Sequence, residues 1–358
     1  MKKVGDYDVN FEQEIGRGSF SRVYKGHGQK GDVAVKVIEF DKLIGKTREI
    51  INEEICMMEM IKNNPHPNIV SCYDVLVIDK KLYIVMEFCD SGDFKTILKK
   101  PLKEKYAQFY FCQLANGLRY LDQYCIIHRD IKPKNILLTN GRRVLKIADF
   151  GFAKVTSDTM LHETFCGSPL YMSPEILACN KYSNKTDLWS VGMILYEMLF
   201  GEHPFSECET INELKEISAK KIIDIPPNGT KNKNISESCL VLLKKLLTKE
   251  VNERITWNEF LFNPWISLTS RSITEQSKPL SWTQSPQTKS SPNTPDKLKS
   301  LYSVSTSTSI SPSTSVSIKS KIEIIDDYLI DANPNTNSIS NFEIDSDFIF
   351  QIEMQYTS

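Results

Sequence analysis

Two short stretches bring together the residue types that phosphate chemistry needs. The first is IHRDIKPKNILL, residues 127–138, and the second is ADFG, residues 148–151. Asp130 is placed to accept or steer a hydroxyl proton, and Lys132, two residues on, can neutralise charge on a phosphoryl group in transfer. Asn135 offers a neutral oxygen, and Asp149, nineteen residues beyond Asp130, a hard carboxylate oxygen. Both suit a magnesium ion bridging phosphates. His128 stands beside Asp130, but it follows apolar Ile126 and Ile127. It reads as a packed, hydrogen-bonded core histidine rather than a base.

Two further features can hold a nucleotide. IGRGSFSRVYKG contains Gly16 and Gly18 between strand-like runs, and glycine lets backbone amides approach phosphate oxygens with no Cβ in the way. Such a turn is also common between ordinary strands. VAVK ends at Lys36, whose ammonium either reaches solvent or lies over phosphates. The second reading needs a carboxylate to orient it. Glu54 of EEICMMEMI is the natural partner, and Glu53, about 100° away on a helix, is the rival.

The elements that must position these groups are legible from periodicity. Residues 7–40 read as short glycine-punctuated strands, and Ile51, Ile55, Met58 and Ile61 recur at helical spacing over 46–62. SCYDVLVI and KLYIVMEF add two strands, and the remainder to Trp265 is mostly helical. A small β-rich lobe thus precedes a larger α-rich one.

At 358 residues the chain exceeds one ordinary core. From about Leu268 to Lys321 it turns to Ser, Thr, Pro and Lys, a composition for which disorder is the expectation. Over Ser267–Lys321 there are seven Lys/Arg against two acids, whereas Ile322–Ser358 has eight acids, no Lys or Arg, and returning aromatics. A net charge of −1 gives no reason to expect nucleic acid. The nine cysteines form no CxxC pair, so reduced thiols in a cytoplasmic protein are expected. No run approaches the length of a membrane span.

Gly16-x-Gly18, VAVK at Lys36, Glu54, HRDIKPKN, DFG and SPE share the order and spacing of the eukaryotic protein kinases, so the chain resembles that family. The resemblance implies an α+β, bilobal kinase fold over 7–267, with an N-lobe to about 86, a hinge at 87–93 and a C-lobe over 94–267. A basic linker at 268–321 and an acidic-hydrophobic tail at 322–358 follow. It implies ATP and Mg2+ as cofactors and protein Ser/Thr hydroxyls as substrates. Ile15, Gly16, Gly18 and Val23 would cover the ATP, and Ala34 with Leu137 would sandwich the adenine. Glu87 and Cys89 would bond the adenine edge behind Met86, and Lys36 with Glu54 would hold the phosphates. Asp130, Lys132 and Asn135 would be catalytic, with Asn135 and Asp149 holding metal. Asp187 would brace the catalytic loop, and Glu175 would pair with Arg254.

Among these kinases the likeness is greatest to the autophagy-initiating (Unc-like) family, through KIADFGFAK (146–154), TFCGSPLYMSPEIL (164–177) and EFCDSGDF (87–94). Ser173, Phe88 and Lys134 depart from its usual alanine, tyrosine and glutamine. The same likeness implies an activating phosphorylation at Thr164, answered by Arg129, and a catalytic-loop contact by Ser168. Leu170 would line a pocket for the residue after the target, Phe152 would favour serine, and Lys134 argues against upstream arginine. The tail at 322–358 resembles a docking peptide for adaptors or for the chain itself. A pseudokinase scaffold, or an active calmodulin-type or polarity kinase, are the alternative readings.

Overall fold

The computed structural model describes residues 1–18, 21–39, 46–124, 126–150, 169–178, 185–220, 223–225 and 235–267. Six antiparallel strands form the first layer: β1 (Lys2–Val4), β2 (Tyr7–Arg17), β3 (Ser21–Gly28), β4 (Gly31–Glu39), β5 (Cys72–Ile78) and β6 (Lys81–Glu87). Their order is β1-β2-β3-β4-β6-β5. The sheet therefore begins earlier than residue 7. KKV is too short and too charged to read as a strand alone, but Val4 is buried against the sheet through its pairing with Tyr7.

Strand alternation decides which side chains face the site. In β4, Val33, Val35 and Val37 pack with Val9, Tyr24, Tyr83 and Val85 on one side of the sheet. Ala34, Lys36 and Ile38 must then point to the other side, where Ile38 meets Ile51 and Ile55 of α1 (Lys46–Asn63). Leu82 and Ile84 of β6 lie on this same side, with Met86 packed beside them.

Helix α1 is seated by its apolar stripe. Ile51, Ile55 and Ile61 are fully buried, and Met58 nearly so. Glu54 is three residues from Ile51 and four from Met58, so the helical period places its carboxylate on that same stripe. It is buried at 0 % exposure. A lone carboxylate there would cost several kcal/mol, roughly, so the helix requires a cationic partner from the sheet.

The second lobe is built on α2 (Glu104–Gln123), which buries Ala107, Tyr110, Phe111, Leu114, Leu118 and Leu121 at helical spacing. A short hairpin follows, β7 (Ile136–Thr139) with β8 (Val144–Ile147). The helices α3 (Pro174–Leu177), α4 (Lys185–Phe200), α5 (Ile211–Lys220), α6 (Glu237–Leu246), α7 (Trp257–Leu261) and α8 (Pro264–Ser267) complete it. Helix α4 is apolar nearly all round, with Leu188, Trp189, Val191, Ile194, Leu195 and Met198 all buried, as a central helix must be. No described helix is long and apolar enough to cross a membrane.

Two histidines, buried His203 and half-buried His66, set a pH response. Burial holds the His203 imidazole down to about 3 and that of His66 down to about 4, against an ordinary value of 6.5. An unfolded chain takes up these protons near pH 6.5 while the folded one refuses them, so each histidine lowers stability as pH falls below that value. Buried Glu54 and Asp187, whose carboxyls burial raises, act in the opposite direction. The contribution is therefore isolated by comparison with His203→Gln. The difference in Tm between parent and variant should shift against the parent from pH 7 to pH 5, and a difference independent of pH would refute the assignment.

Candidate functional site

The site is assembled where β4, α1 and the segment after β8 converge. Lys36 Nζ donates to Glu54 Oε1 at 2.6 Å and to Asp149 Oδ1 at 3.0 Å. Burial alone would lower the Lys36 pKa, but the two carboxylates outweigh it and hold the ammonium above its usual range. Burial lifts the Glu54 carboxyl to about 7, with Lys36 drawing it back down. Asp149 differs: the Lys36 charge holds its carboxyl below the ordinary value. Its side chain remains 44 % exposed, so this carboxylate faces outward while its Oδ1 is anchored.

Asp149 and Arg129 both adopt positive φ, at 62° and 66°, a region that non-glycine residues enter at a cost of about 1–3 kcal/mol. The surroundings of Arg129 show what holds it. Asp187 Oδ2 accepts from His128 N at 2.8 Å and its Oδ1 from Arg129 N at 3.0 Å. One buried carboxylate thus clamps two consecutive amides of the turn. His128, 1 % exposed, lies 3.1 Å through Nε2 from the Ala148 carbonyl, and its Nδ1 accepts from Asp130 N at 3.3 Å. That pattern assigns the proton to Nε2. The ring also meets Phe150 edge-on at 5.1 Å, so His128 splices the loop bearing Asp130 to the segment bearing Asp149. It is the packed core histidine its apolar flanks suggest.

Within the loop, Lys132 Nζ donates to Asp130 Oδ2 at 2.6 Å. Asn135 Nδ2 donates to the Asp130 carbonyl at 3.0 Å and to Asp130 Oδ2 at 2.8 Å. Both donors converge on one oxygen of Asp130. Ala148 N in turn donates to the Asn135 carbonyl at 2.8 Å, tying the loop again to the Asp149 segment. The Asn135 amide nitrogen is turned to Asp130, so its side-chain oxygen is the acceptor it keeps to offer. That oxygen and the outward Asp149 carboxylate are a hard-oxygen pair, a donor set that would suit a hard divalent cation.

The other expected residues surround this centre. Gly16 pairs with Val23 across β2 and β3, and Gly18 N closes the turn onto the Ser21 carbonyl at 2.9 Å. A Cβ on Gly18 would stand 2.8 Å from Ser21 Oγ and 3.9 Å from the Ser21 carbonyl, so a larger residue would require the serine hydroxyl to rotate away. Ile15 is 41 % exposed on the same strand. Ala34 lies opposite Met86 in the β4–β6 register. Glu87 ends β6, and Cys89 follows with its thiol pushed up to about 12, first by burial and then by Glu87. Leu137 of β7 bridges to Asp93, just after that crossing.

Glu175 and Arg254 meet in a bidentate pair at 2.7 and 2.9 Å. Arg254 also donates to the carbonyls of Thr248, Lys185 and Lys249 and stacks on Trp189 at 5.2 Å. Leu170 is half-buried against the core. Phe152, Thr164 and Ser168 lie outside the described residues, as does 268–358.

Several contacts escaped sequence reasoning. Lys146 Nζ lies 2.7 Å from Glu87 Oε2, an enclosed ion pair joining the end of β6 to β8. Asn68 Nδ2 donates to the Leu145 carbonyl at 2.9 Å, and Asn68 Oδ1 accepts from Asn116 at 2.9 Å. These side chains suture the segment after α1 to the second lobe. The signal for Lys146 was its place in VLKI, where a buried cation demands a partner. Nothing in the spacing names Glu87.

A family model for the protein kinase domain matches residues 9–266. Among curated relatives, serine/threonine-protein kinase atg1 of Dictyostelium discoideum is 41 % identical over 279 residues, covering 75 % of this chain and 40 % of the relative. Serine/threonine-protein kinase ATG1c of Arabidopsis thaliana is 40 % identical over 270 residues, covering 74 % and 36 %. Serine/threonine-protein kinase ULK1 of Homo sapiens is 37 % identical over 276 residues, covering 74 % and 26 %. The chain thus spans 40 % or less of the length of these relatives.

Proposed function

Because this chain belongs to the protein kinase family, we propose that it transfers the γ-phosphoryl group of ATP to Ser/Thr hydroxyls of proteins, in the manner of the autophagy-initiating kinases. The observation that carries the reading is Lys36 bonded at once to Glu54 and Asp149, at 2.6 and 3.0 Å. A buried lysine held protonated by two carboxylates, one of them still open to the cleft, is a prepared phosphate site.

Each residue then has a task. Lys36 binds the α and β phosphates, and Glu54 keeps it aimed. Ile15, Gly16, Gly18 and Val23 fold over the nucleotide from above, while Ala34 and Leu137 flank the adenine. The backbone of Glu87 and Cys89 bonds the adenine edge. Asn135 and Asp149 would hold magnesium, which would supply charge neutralisation on the phosphates. Asp130 orients the substrate hydroxyl and takes its proton, and Lys132 balances the charge developing on the phosphoryl oxygens. Little covalent chemistry falls to the protein in such a transfer. Positioning and electrostatics supply most of the rate. The test is an assay of phosphoryl transfer from ATP with magnesium, read by mapping phosphosites on the chain and on an added protein substrate. A purified protein that binds ATP but transfers nothing would replace this reading with that of a scaffold.

Arg129 precedes Asp130 in the loop, and a phosphate on Thr164 is the anion proposed to answer it. Thr164→Ala should lower activity by about ten-fold or more, with nucleotide binding unchanged. Undiminished turnover of that variant would remove Thr164 from regulation. The 322–358 tail is proposed as a docking segment, on its alternation of acids with aromatic and aliphatic residues.

A further inference from the structure

We infer that the lysine ridge at 95–105 is the docking surface for the chain's own acidic tail, residues 322–358. The ridge reads KTILKKPLKEK, with Lys95, Lys99, Lys100, Lys103 and Lys105 against a single acid, Glu104. All five lysines are exposed, and none forms an ion pair with a described residue. Burial raises the Glu197 carboxyl's pKa, and the nearby Lys95 charge offsets part of that rise.

Glu104 does not neutralise the ridge from within. Its Oε1 accepts from Trp265 Nε1 at 2.7 Å and Ser236 Oγ at 2.6 Å, and its Oε2 from Ser236 N at 2.7 Å. The carboxylate is spent inward, tying the start of α2 to α6 and α8. Between the lysines stand Ile97 and Leu102, each half-buried, and half-buried Tyr106 follows, with the Lys105 ammonium 4.8 Å from its ring centre. Cation and partly covered apolar side chain therefore alternate along this stretch of the second lobe.

The tail is the complement of this pattern. IEIIDDYLID and FEIDSDFIFQIE place acids between aliphatic and aromatic residues, and 322–358 contains eight acids and no Lys or Arg. The point where the chain leaves the domain also favours this occupant. Helix α8 is held along α2 by Gln108 Nε2 on the Trp265 carbonyl at 2.6 Å and Cys112 Sγ on the Ile266 carbonyl at 2.9 Å. Cys112 is seven residues along α2 from Lys105, about 10 Å of helix rise. Residues 268–321 supply far more chain than that distance requires. A tethered segment meets its site at an effective concentration on the order of millimolar, so weak exposed ion pairs suffice where they would fail between separate molecules.

This inference rests on the reading of 322–358 as a docking segment. A tail that engages only other proteins would leave that reading standing while refuting this one. The experiment is zero-length carbodiimide coupling of carboxylates to amines on the full-length chain, with the linked peptides identified by mass spectrometry. The expected result is amide links from tail acids concentrated on Lys95–Lys105 over exposed Lys2, Lys3, Lys80 and Lys220. Their yield should be unchanged on ten-fold dilution and reduced about ten-fold by Lys99→Glu, Lys100→Glu and Lys103→Glu together. Raising ionic strength should weaken them in the same direction. Adding Asp326→Lys, Asp327→Lys, Asp345→Lys and Asp347→Lys to the reversed ridge should restore coupling, now from ridge glutamates to tail lysines. All these positions are exposed or outside the domain, so an unchanged Tm verifies folding. Links confined to Lys289–Lys321, spread evenly over all lysines, or growing with protein concentration would each overturn the proposal.

Discussion

Asp149→Ala should reduce phosphoryl transfer about 10³-fold or more while leaving the fold intact, an effect of about 4 kcal/mol on the barrier. The asymmetry follows from the site's construction. Asp149 is 44 % exposed at its side chain, so its removal leaves no large cavity. Lys36 keeps its 2.6 Å bond to Glu54 and stays charged, so the cation proposed to bind phosphate survives. What disappears is the outward carboxylate, the one hard anionic oxygen available to a metal at that spot. Turnover should therefore collapse while folding stability stays within about 1 kcal/mol of the parent. ATP binding measured without magnesium should be little altered. Phosphosite mapping on parent and variant checks the first part, and a thermal melt the second. A variant that still phosphorylated a substrate at the parent rate would sink the assignment of the site.

The largest effect on stability is expected at Arg254. Its guanidinium is fully buried, bonds Glu175 twice, holds three backbone carbonyls and stacks on Trp189. Arg254→Ala strands the Glu175 carboxylate, itself only 8 % exposed at the side chain, beside carbonyls that have lost their donor. Removing one partner of a buried pair costs about 3–5 kcal/mol, and for a domain of this size Tm should fall by on the order of 10 °C. Burial pushes the Glu175 carboxyl up, but the Arg254 bonds and charge outweigh it and hold it below its ordinary 4.5. The folded carboxylate therefore resists protonation more than the unfolded one. The pair's contribution is complete above about pH 4.5 and is lost as pH falls through the lowered folded value. Pairing Arg254→Met with Glu175→Leu should recover much of the loss, since neither charge is then stranded. An Arg254→Ala protein that melts with the parent would show that the pair does not hold the domain together.

The clustering of the proposed catalytic residues was legible because it is local in sequence. Asp130, Lys132 and Asn135 fall within six residues, and the hydrogen bonds among them follow from that proximity. Lys36 with Glu54 was legible for a different reason: strand alternation and helical period each aim one charged residue into an apolar layer, and two such charges must meet. The sutures between lobes were not legible. Lys146 with Glu87 and Asn68 with Leu145 join residues 59 and 77 positions apart, and no period links them. Only the packing of α2 and β8 against the segment after α1 decides those partners. β1 was missed because three residues with two lysines have no signal until an adjacent strand pairs with them.

Glu54 shares its face of α1 with Ile51, Ile55 and Met58. The ion pair and the apolar seat are therefore one event. Rolling the helix by a single residue, about 100°, would lift the isoleucines from the core at the same moment as it parted Glu54 from Lys36. No intermediate pose keeps one and forfeits the other. Both kinds of interaction favour the same orientation, so the helix is expected to be either seated or released, with little between them. Anything that loosens a distant part of α1 should then be felt at Lys36 as a change in the fraction of molecules that are competent, rather than as a graded weakening of each one.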